Sequence, residues 1–245
     1  MDEFLKMLPK LARAETMPEI PGKIRWRARL FGKSRIWEYI GNYYEEESAR
    51  RVPFYLPYIY LKESYRYLCK VAGISKKQVS MVLIDGGDSR TDYFLYEFLE
   101  EFNFLTIITD RKAYFEGLQE RAFQELGLLI DLALPWEEKN LQGNLVWDFT
   151  DSLQKADCYP KDAVCFVPHK KEWKITELIR DCPTVTAVAV KDVEIDGLVL
   201  RPSLAECFLV PAGFPFRKSR CDELKQWCRQ NRWTLKMKVR KSEKP

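Results

Sequence analysis

The feature that most constrains the fold is an alternation of short apolar runs with amphipathic stretches, which begins at Val79. Buried strands of parallel sheets are almost continuously hydrophobic, and amphipathic stretches between them are typical of the helices of βαβ units. The apolar runs lie at 79–85, 104–110, 128–134, 145–150, 163–167 and 184–190. The stretches with helical periodicity lie at 90–102, 112–126 and 171–181. The pattern therefore predicts a parallel sheet with right-handed crossover helices.

This alternation predicts an α/β protein, with a Rossmann-like doubly wound parallel sheet over residues 76–210 and a smaller N-terminal α+β region. Residues 1–75 are interpreted as a hairpin-and-helix region. The reason is that Lys and Arg alternate with apolar residues over 23–31, and a second strand can follow over 34–40. Residues 211–245 are predicted to form a basic C-terminal helix and an edge strand.

Charge is unevenly distributed along the chain. Forty basic and 36 acidic side chains give a net charge of +4, which is too small to identify a nucleic-acid partner. Residues 217–245 carry 11 basic and 3 acidic side chains, and residues 1–51 carry 11 and 8, which leaves the middle of the chain with a balance of −7. An acidic body is thus flanked by basic ends.

The seven cysteines are scattered without a CxxC pair, and the chain has a single histidine. This usage is typical of reduced thiols in a cytoplasmic protein, and it predicts no metal site. No apolar run approaches the roughly 20 residues of a membrane span, and the charged N-terminal segment does not resemble a signal peptide. We therefore expect no membrane partner. The pattern does not indicate an oligomeric state.

The turn after the first predicted strand is the candidate cofactor-binding site, and its residues are Gly86, Gly87, Asp88, Ser89 and Arg90. Ligands of doubly wound sheets lie at the carboxyl ends of the strands, where glycine lets the backbone approach a phosphate and the N–H groups of a helix start receive it. The full G-x-G-x-x-G pattern is absent. The alternative interpretation is therefore a tight strand-to-helix turn in which Asp88 or Ser89 is the N-cap.

The end of the second predicted strand completes the candidate site. Asp110 lies 24 residues after Gly86, where a dinucleotide site places the acidic residue that hydrogen-bonds a ribose hydroxyl. Arg111 and Lys112 follow it, at the position where a 2′-phosphate needs positive charge. A nucleotide is thus the candidate ligand of this turn, and NAD(P) is the first candidate for the cofactor.

A polar segment with an arginine, Thr109–Ala113, precedes the second predicted helix, and a glycine-containing segment, 193–200, precedes the apolar segment 204–208. In these features, above all over 85–131, the chain resembles the NAD(P)-binding domain of the shikimate and quinate dehydrogenases. The resemblance implies a Rossmann fold, NAD(P) binding and an oxidoreductase-like protein that is either active or a catalytically silent pseudoenzyme. The glutamine with which that family contacts its substrate has no match here, and its substrate domain is not recognisable in residues 1–75. No catalytic residue is therefore assigned.

An S-adenosylmethionine-dependent methyltransferase is the alternative enzyme. Such enzymes also place an acidic residue and glycines after the first strand and an acidic residue after the second, which Asp85 to Asp88 and Asp110 would satisfy. The only histidine, His169, follows a predicted strand. It is interpreted either as a proton-transfer group or as an exposed loop residue.

A third hypothesis is a non-enzymatic module that binds nucleic acid or protein through its basic ends. On the predicted strands, Lys and Arg collect on one face and tryptophan is interleaved, a combination used for single-stranded nucleic acid. The cations of the last strand are Lys236, Lys238 and Arg240. The favoured alternative is that they protect an exposed sheet edge from aggregation.

Overall fold

One mixed sheet of eight strands runs through the described part of the molecule. The structure is a computed structural model that describes residues 6–8, 11–50, 54–137, 141–151, 154, 158–168, 172–211 and 213–242. The strands are β1 (Met81–Ile84), β2 (Phe104–Ile108), β3 (Leu129–Ala133), β4 (Leu145–Asp148), β5 (Val164–Phe166), β6 (Thr186–Ile195), β7 (Leu198–Leu200) and β8 (Trp233–Arg240). Strands β1 to β6 are parallel, in the order β3-β2-β1-β4-β5-β6. Both β7 and β8 pair with β6 in antiparallel fashion.

This strand order confirms the predicted α/β, Rossmann-like fold. Strand β1 has β2 on one side and β4 on the other, so the direction in which strands are added reverses between β3 and β4. Every residue of β1 and β4 is buried, which explains their almost continuous apolar sequence. The reversal also brings the carboxyl ends of β1 and β4 side by side, where such sheets form a ligand crevice.

The helices are α1 (Gly22–Phe31), α2 (Ser34–Arg50), α3 (Leu56–Ile59), α4 (Leu61–Ala72), α5 (Ser89–Phe98), α6 (Lys112–Leu126), α7 (Glu172–Asp181), α8 (Pro202–Leu209) and α9 (Lys218–Gln230). The helix predicted over 112–126 is confirmed, and it ends at Gly127 in the left-handed conformation that favours glycine. Alternate residues of β1 enter two separate hydrophobic clusters, with Met81 and Leu83 in the larger one and Val82 and Ile84 in the smaller. The sheet is therefore packed on both faces.

The predicted N-terminal hairpin is wrong, because residues 23–31 lie in α1 and residues 34–40 lie in α2. Helix α2 buries Ile40, Tyr44 and Ser48, which follow one another at intervals of four as one face of a helix does. Helix α1 contacts α2 and buries only Ala28. Its sequence therefore needs no apolar residue at every third or fourth position, which is the repeat that identifies a half-buried helix. Arginine, alanine and leucine are good helix formers, so the segment forms a helix where no burial of one strand face favours a strand.

The C-terminal strand completes the sheet. Strand β8 pairs with β6 alone among the described residues, so it is an edge strand as predicted. Its cations are engaged by carboxylates: the Lys236 Nζ lies 3.1 Å from Glu194, and Lys238 and Arg240 both pair with Glu172. These pairs neutralise much of the positive charge on the face of β8 that was a candidate for binding nucleic acid.

A buried carboxylate joins the N-terminal helices to the C-terminal half of the fold. The Oε1 of Glu206, in α8, accepts hydrogen bonds from the backbone N–H groups of Phe54 (2.5 Å) and Tyr55 (2.8 Å), and its Oε2 accepts one from Leu56 (3.0 Å). A carboxylate at the start of α3 satisfies N–H groups that have no partner within the helix. The larger hydrophobic cluster likewise includes residues from all three predicted regions. The division into 1–75, 76–210 and 211–245 stays a prediction.

All seven cysteines are buried and free of disulfide bonds. None of the described helices combines the length and the apolar character that crossing a bilayer requires.

Candidate functional site

A cleft of about 410 Å³ opens over the carboxyl ends of the parallel strands. It is lined by Asp85, Gly86, Gly87, Asp110, Pro135, Thr150, Asp151, Gln154 and Lys174. Most of these residues come from the loops that follow β1 to β4, whereas Lys174 lies in α7. The cleft thus occupies the point where the strand order reverses, and three residues of the predicted site, Gly86, Gly87 and Asp110, line it together.

The two glycines are required by the turn itself. Gly87 has a φ of +78°, a conformation that residues with a Cβ rarely adopt. A Cβ on Gly86 would lie 2.6 Å from the carbonyl oxygen of Phe149, just after β4. The turn therefore packs directly against the backbone that leaves β4.

Asp85 is a fully enclosed carboxylate that ties the loops together. Its Oδ1 accepts hydrogen bonds from the Thr91 hydroxyl (2.7 Å), the Gly87 N–H (3.0 Å) and the Arg111 Nη2 (2.8 Å). Its Oδ2 accepts from the Thr109 hydroxyl (2.8 Å) and the Arg111 Nε (2.9 Å). Burial alone would raise the pKa of Asp85, but the hydrogen bonds from Arg111, Thr91 and Thr109 outweigh it and hold that pKa below its ordinary value.

Asp88 is the N-cap of α5. Its Oδ1 accepts a hydrogen bond from the Arg90 N–H at 2.9 Å, so the alternative interpretation of this residue as a cap is confirmed. Ser89 is exposed at the first position of the helix. The guanidinium of Arg90 is buried: its Nε lies 2.6 Å from Asp88, its Nη1 lies 3.5 Å from Asp151, and its Cζ stands 4.6 Å from the centre of the Phe54 ring.

The carboxylates of this turn occupy backbone donors that a phosphate would use. In a phosphate-binding turn, the N–H groups of the glycines and of the first helical turn point at the anion. Here the Gly87 N–H donates to Asp85 and the Arg90 N–H donates to Asp88. A phosphate at these two donors would have to displace carboxylates that are themselves held by arginines.

The residues after β2 have divergent surroundings. Asp110 is exposed and has no ion pair within the described residues. Arg111 is paired with Asp85 at 2.8 Å, and the Lys112 Nζ lies 3.5 Å from Glu137. The carboxylate predicted to meet a ribose is thus available, whereas both cations predicted to meet a 2′-phosphate already have acidic partners.

Strand β4 contributes residues to the cleft that the apolar pattern alone did not predict. Asp148, the last residue of β4, is buried and accepts hydrogen bonds from the hydroxyls of Tyr159 (2.6 Å) and Thr150 (2.6 Å). Burial, together with the Asp148 carboxylate, raises the pKa of Tyr159 above its ordinary value. The Lys174 Nζ donates to the backbone carbonyl of Asp151 at 2.7 Å. A polar residue at the end of the fourth apolar run was the available signal, since the carboxyl ends of parallel strands meet at one edge.

Two further expectations concern His169 and metal ions. His169 lies outside the described residues. Within the described residues, no group of three or more His, Cys, Asp or Glu side chains is arranged to hold a metal ion.

No protein-family model matches the chain, and no curated protein matches it in sequence. Solved structures are similar to it in fold. One is shikimate 5-dehydrogenase from Listeria monocytogenes in complex with shikimate and NAD, with 13% identity, a TM-score of 0.38 and coverage of 67% of this chain and 61% of that one. Another is ligand-free 5-ketofructose reductase of Gluconobacter sp. strain CHM43, with 9% identity, a TM-score of 0.36 and coverage of 65% and 60%.

A third is a shikimate 5-dehydrogenase-like protein, with 13% identity, a TM-score of 0.33 and coverage of 71% of this chain and 61% of that one. The chain therefore spans about three fifths of the length of each of these proteins. At these identities the similarity concerns the fold alone. Two of these three structures are a shikimate 5-dehydrogenase and a shikimate 5-dehydrogenase-like protein.

Proposed function

We propose that this protein binds a nucleotide in the cleft over β1 to β4, with NAD(P) as the first candidate. The observation that carries the proposal is the position of the cleft: it lies where the strand order reverses and is lined by both the glycine turn and Asp110. Crevices at this point are where open α/β sheets bind their ligands. An active oxidoreductase and a catalytically silent binding protein share this binding step. The seven cysteines are buried and form no disulfide bond, which agrees with a cytoplasmic location.

The nucleoside part of the ligand is proposed to make the main polar contacts. The carboxylate of Asp110 is exposed on the cleft and would accept hydrogen bonds from two ribose hydroxyls. The glycine turn would contribute less than in a typical dinucleotide site, because Asp85 and Asp88 hold two of its N–H groups. NAD and adenosine should therefore bind with similar affinity, and NADP should gain nothing from Arg111, which is paired with Asp85.

S-adenosylmethionine is the second candidate, and the charge of the cleft favours it. Two exposed carboxylates, those of Asp110 and Asp151, line the cleft together with one ammonium group, that of Lys174. A nucleoside that carries a sulfonium and an ammonium group suits these surroundings better than a pyrophosphate does.

Isothermal titration of the protein with NAD, NADP, adenosine and S-adenosylmethionine tests the proposal. Asp110→Asn is expected to weaken binding about tenfold or more, since a hydrogen bond to a charged group contributes about 1.5–3 kcal/mol. The matched control is Asp162→Asn, the same change in an exposed loop before β5. This loop lies at the amino ends of the parallel strands, away from the cleft at their carboxyl ends. The proposal fails if none of the four compounds binds, or if both variants bind as the wild type does. A response to S-adenosylmethionine alone selects the second candidate.

A further inference from the structure

Helix α1 presents large apolar side chains to solvent. Trp26 is 61% exposed and Leu30 is 58% exposed, and their spacing of four residues makes them neighbours on one face of the helix. Phe31, at the end of the helix, is 68% exposed. Single exposed apolar residues are ordinary, but Trp26 and Leu30 side by side, with Phe31 close to them, indicate an interaction surface.

Cations flank this apolar row on both sides. At about 100° per residue, Lys23 and Arg27 lie on one side of the Trp26–Leu30 row, and Arg25 and Arg29 lie on the other. Within the described residues, none of these four cations has an ion pair. We call the apolar row together with its four flanking cations the basic helix face.

A second unoccupied surface has the opposite charge. A groove of about 590 Å³ runs between α5 and α6 and is lined by the apolar parts of Leu95, Tyr96, Tyr114, Leu118 and Leu126. Tyr96 is 70% exposed and Leu126 is 45% exposed. The groove also contains the carboxylates of Asp92, Glu100 and Glu125 and the guanidinium of Arg121, and the Lys218 Nζ lies 2.9 Å from the centre of the Tyr96 ring at its margin. Within the described residues, Glu100 and Glu125 have no ion pair. We call this surface the acidic groove.

We propose that the basic helix face of one copy of the chain docks into the acidic groove of a second copy. Trp26 and Leu30 would cover the apolar floor of the groove, and the flanking arginines would pair with Glu100 and Glu125. An amphipathic helix in an apolar groove is a recurrent mode of recognition, in which residues at i and i+4 are the anchors. A second copy is favoured over other partners because both surfaces lie on this chain and complement each other in charge. The acidic body and basic N-terminal region of the sequence show the same segregation.

The two surfaces are different patches, so the contact is head-to-tail rather than isologous. A helix of ten residues in a groove is a small interface, and a dissociation constant in about the micromolar range is expected. The arginine–glutamate pairs are exposed before docking, so the association should weaken as salt is added. The average mass of the protein should therefore rise with concentration and fall with ionic strength.

Sedimentation velocity on the full chain and two variants tests this proposal. The helix variant carries Trp26→Ser and Leu30→Ser, and the groove variant carries Tyr96→Ser and Leu126→Ser. Each variant alone should stay monomeric, because it lacks one half of the contact. A mixture of the two should form a 1:1 complex, because each supplies the half that the other lacks. Val199→Ser, which alters an exposed apolar residue outside both surfaces, should associate as the wild type does.

Wild type that stays monomeric at every concentration, a variant that still self-associates, or a mixture that stays monomeric overturns the proposal. Circular dichroism checks the fold of each variant. Where a serine variant unfolds, Arg27→Glu and Glu125→Lys replace it, and they should likewise be monomeric alone and paired in the mixture. If monomeric wild type binds anionic vesicles or single-stranded oligonucleotides and the helix variant does not, the occupant of the basic helix face is lipid or nucleic acid and the proposal is wrong.

Discussion

At the scale of single residues, Asp85 has the most consequences, because one carboxylate joins the turn after β1 to the segment after β2. Its hydrogen bonds connect Thr91, in the first turn of α5, to Thr109 and Arg111, which follow β2. Its side chain is fully buried, so removing its charge leaves the guanidinium of Arg111 without its partner. Removing one member of a buried ion pair destabilises the fold by more than the intact pair stabilises it, because a buried charge is left without a partner.

Asp85→Asn is expected to lower the free energy of unfolding at pH 7 by about 3–5 kcal/mol, measured by urea denaturation. The pKa of Asp85 is lowered in the folded state, so its stabilising effect is complete above the pKa of the unfolded chain, about 3.9. The effect is lost as the pH falls through the folded-state pKa. The difference between wild type and variant should therefore shrink below about pH 4. Asp162→Asn should follow the wild-type pH dependence, and an equal loss for Asp85→Asn at pH 7 and pH 3 would contradict the assignment.

The sequence could predict which residues lie on the cleft but not the partners of their neighbours. Asp110 and Gly86 were predictable because they follow apolar runs, and parallel strands bring such ends to one edge. The pairing of Arg111 with Asp85 was not predictable, because the same arginine at the same position could equally have faced a 2′-phosphate. Only the three-dimensional position of the Asp85 carboxylate decides between these two uses.

At the scale of elements, β8 and α1 show when a period-two pattern is informative. Strand β8 alternates because β6 pairs with it along most of its length and one of its faces lies towards the core. Residues 23–31 alternate in the same way, yet they form a helix that is exposed on nearly all sides. An alternation of charged with apolar residues predicts a strand only where one of the two sets is buried.

Replacing Lys236, Lys238 and Arg240 by Gln is expected to change solubility rather than binding. These side chains pair with Glu172 and Glu194, so free energy of unfolding should change by only about 1 kcal/mol. Loss of cations from an edge strand should increase aggregation, measured as turbidity on heating. Fluorescence polarisation should show only weak binding of a single-stranded oligonucleotide at low salt, equal for wild type and variant.

The control for this change is a variant with Lys70, Lys77 and Lys161 replaced by Gln, which removes three exposed cations outside the sheet edge. It should aggregate as the wild type does. A micromolar oligonucleotide complex that survives physiological salt and is lost only in the β8 variant would instead assign β8 to nucleic-acid binding.

At the scale of the whole molecule, the sheet depends on residues near the end of the described chain. Strand β8 is a partner of β6 over most of its length, and Trp233 enters the larger hydrophobic cluster. The alternation from Val79 onward predicted the parallel strands and the crossover helices between them. It could not predict that a distant segment would cover β6, because the pairing of segments far apart in sequence depends on the packed core.

Deletion of residues 232–245 is expected to abolish cooperative folding, because it uncovers β6 and removes a buried tryptophan. Urea unfolding followed by near-ultraviolet and far-ultraviolet circular dichroism measures this: the full chain should give coincident transitions, and the shortened chain should lose its near-ultraviolet signal. A full-length variant with Lys241→Gln is the control. A shortened chain that unfolds cooperatively with nearly full stability would instead support 211–245 as a separate unit.

The buried cysteines make local opening of the structure measurable by chemical labelling. A thiol reagent cannot reach a sulfur atom that is enclosed by the core, so the rate of modification measures how often the surrounding structure opens. Cys221 and Cys228 are fully enclosed on the buried face of α9, whereas Cys182, just after α7, is 8% exposed. The order in which these thiols are captured would thus rank the elements by their frequency of opening. Each capture would also be final, since a modified sulfur no longer fits the core from which it came.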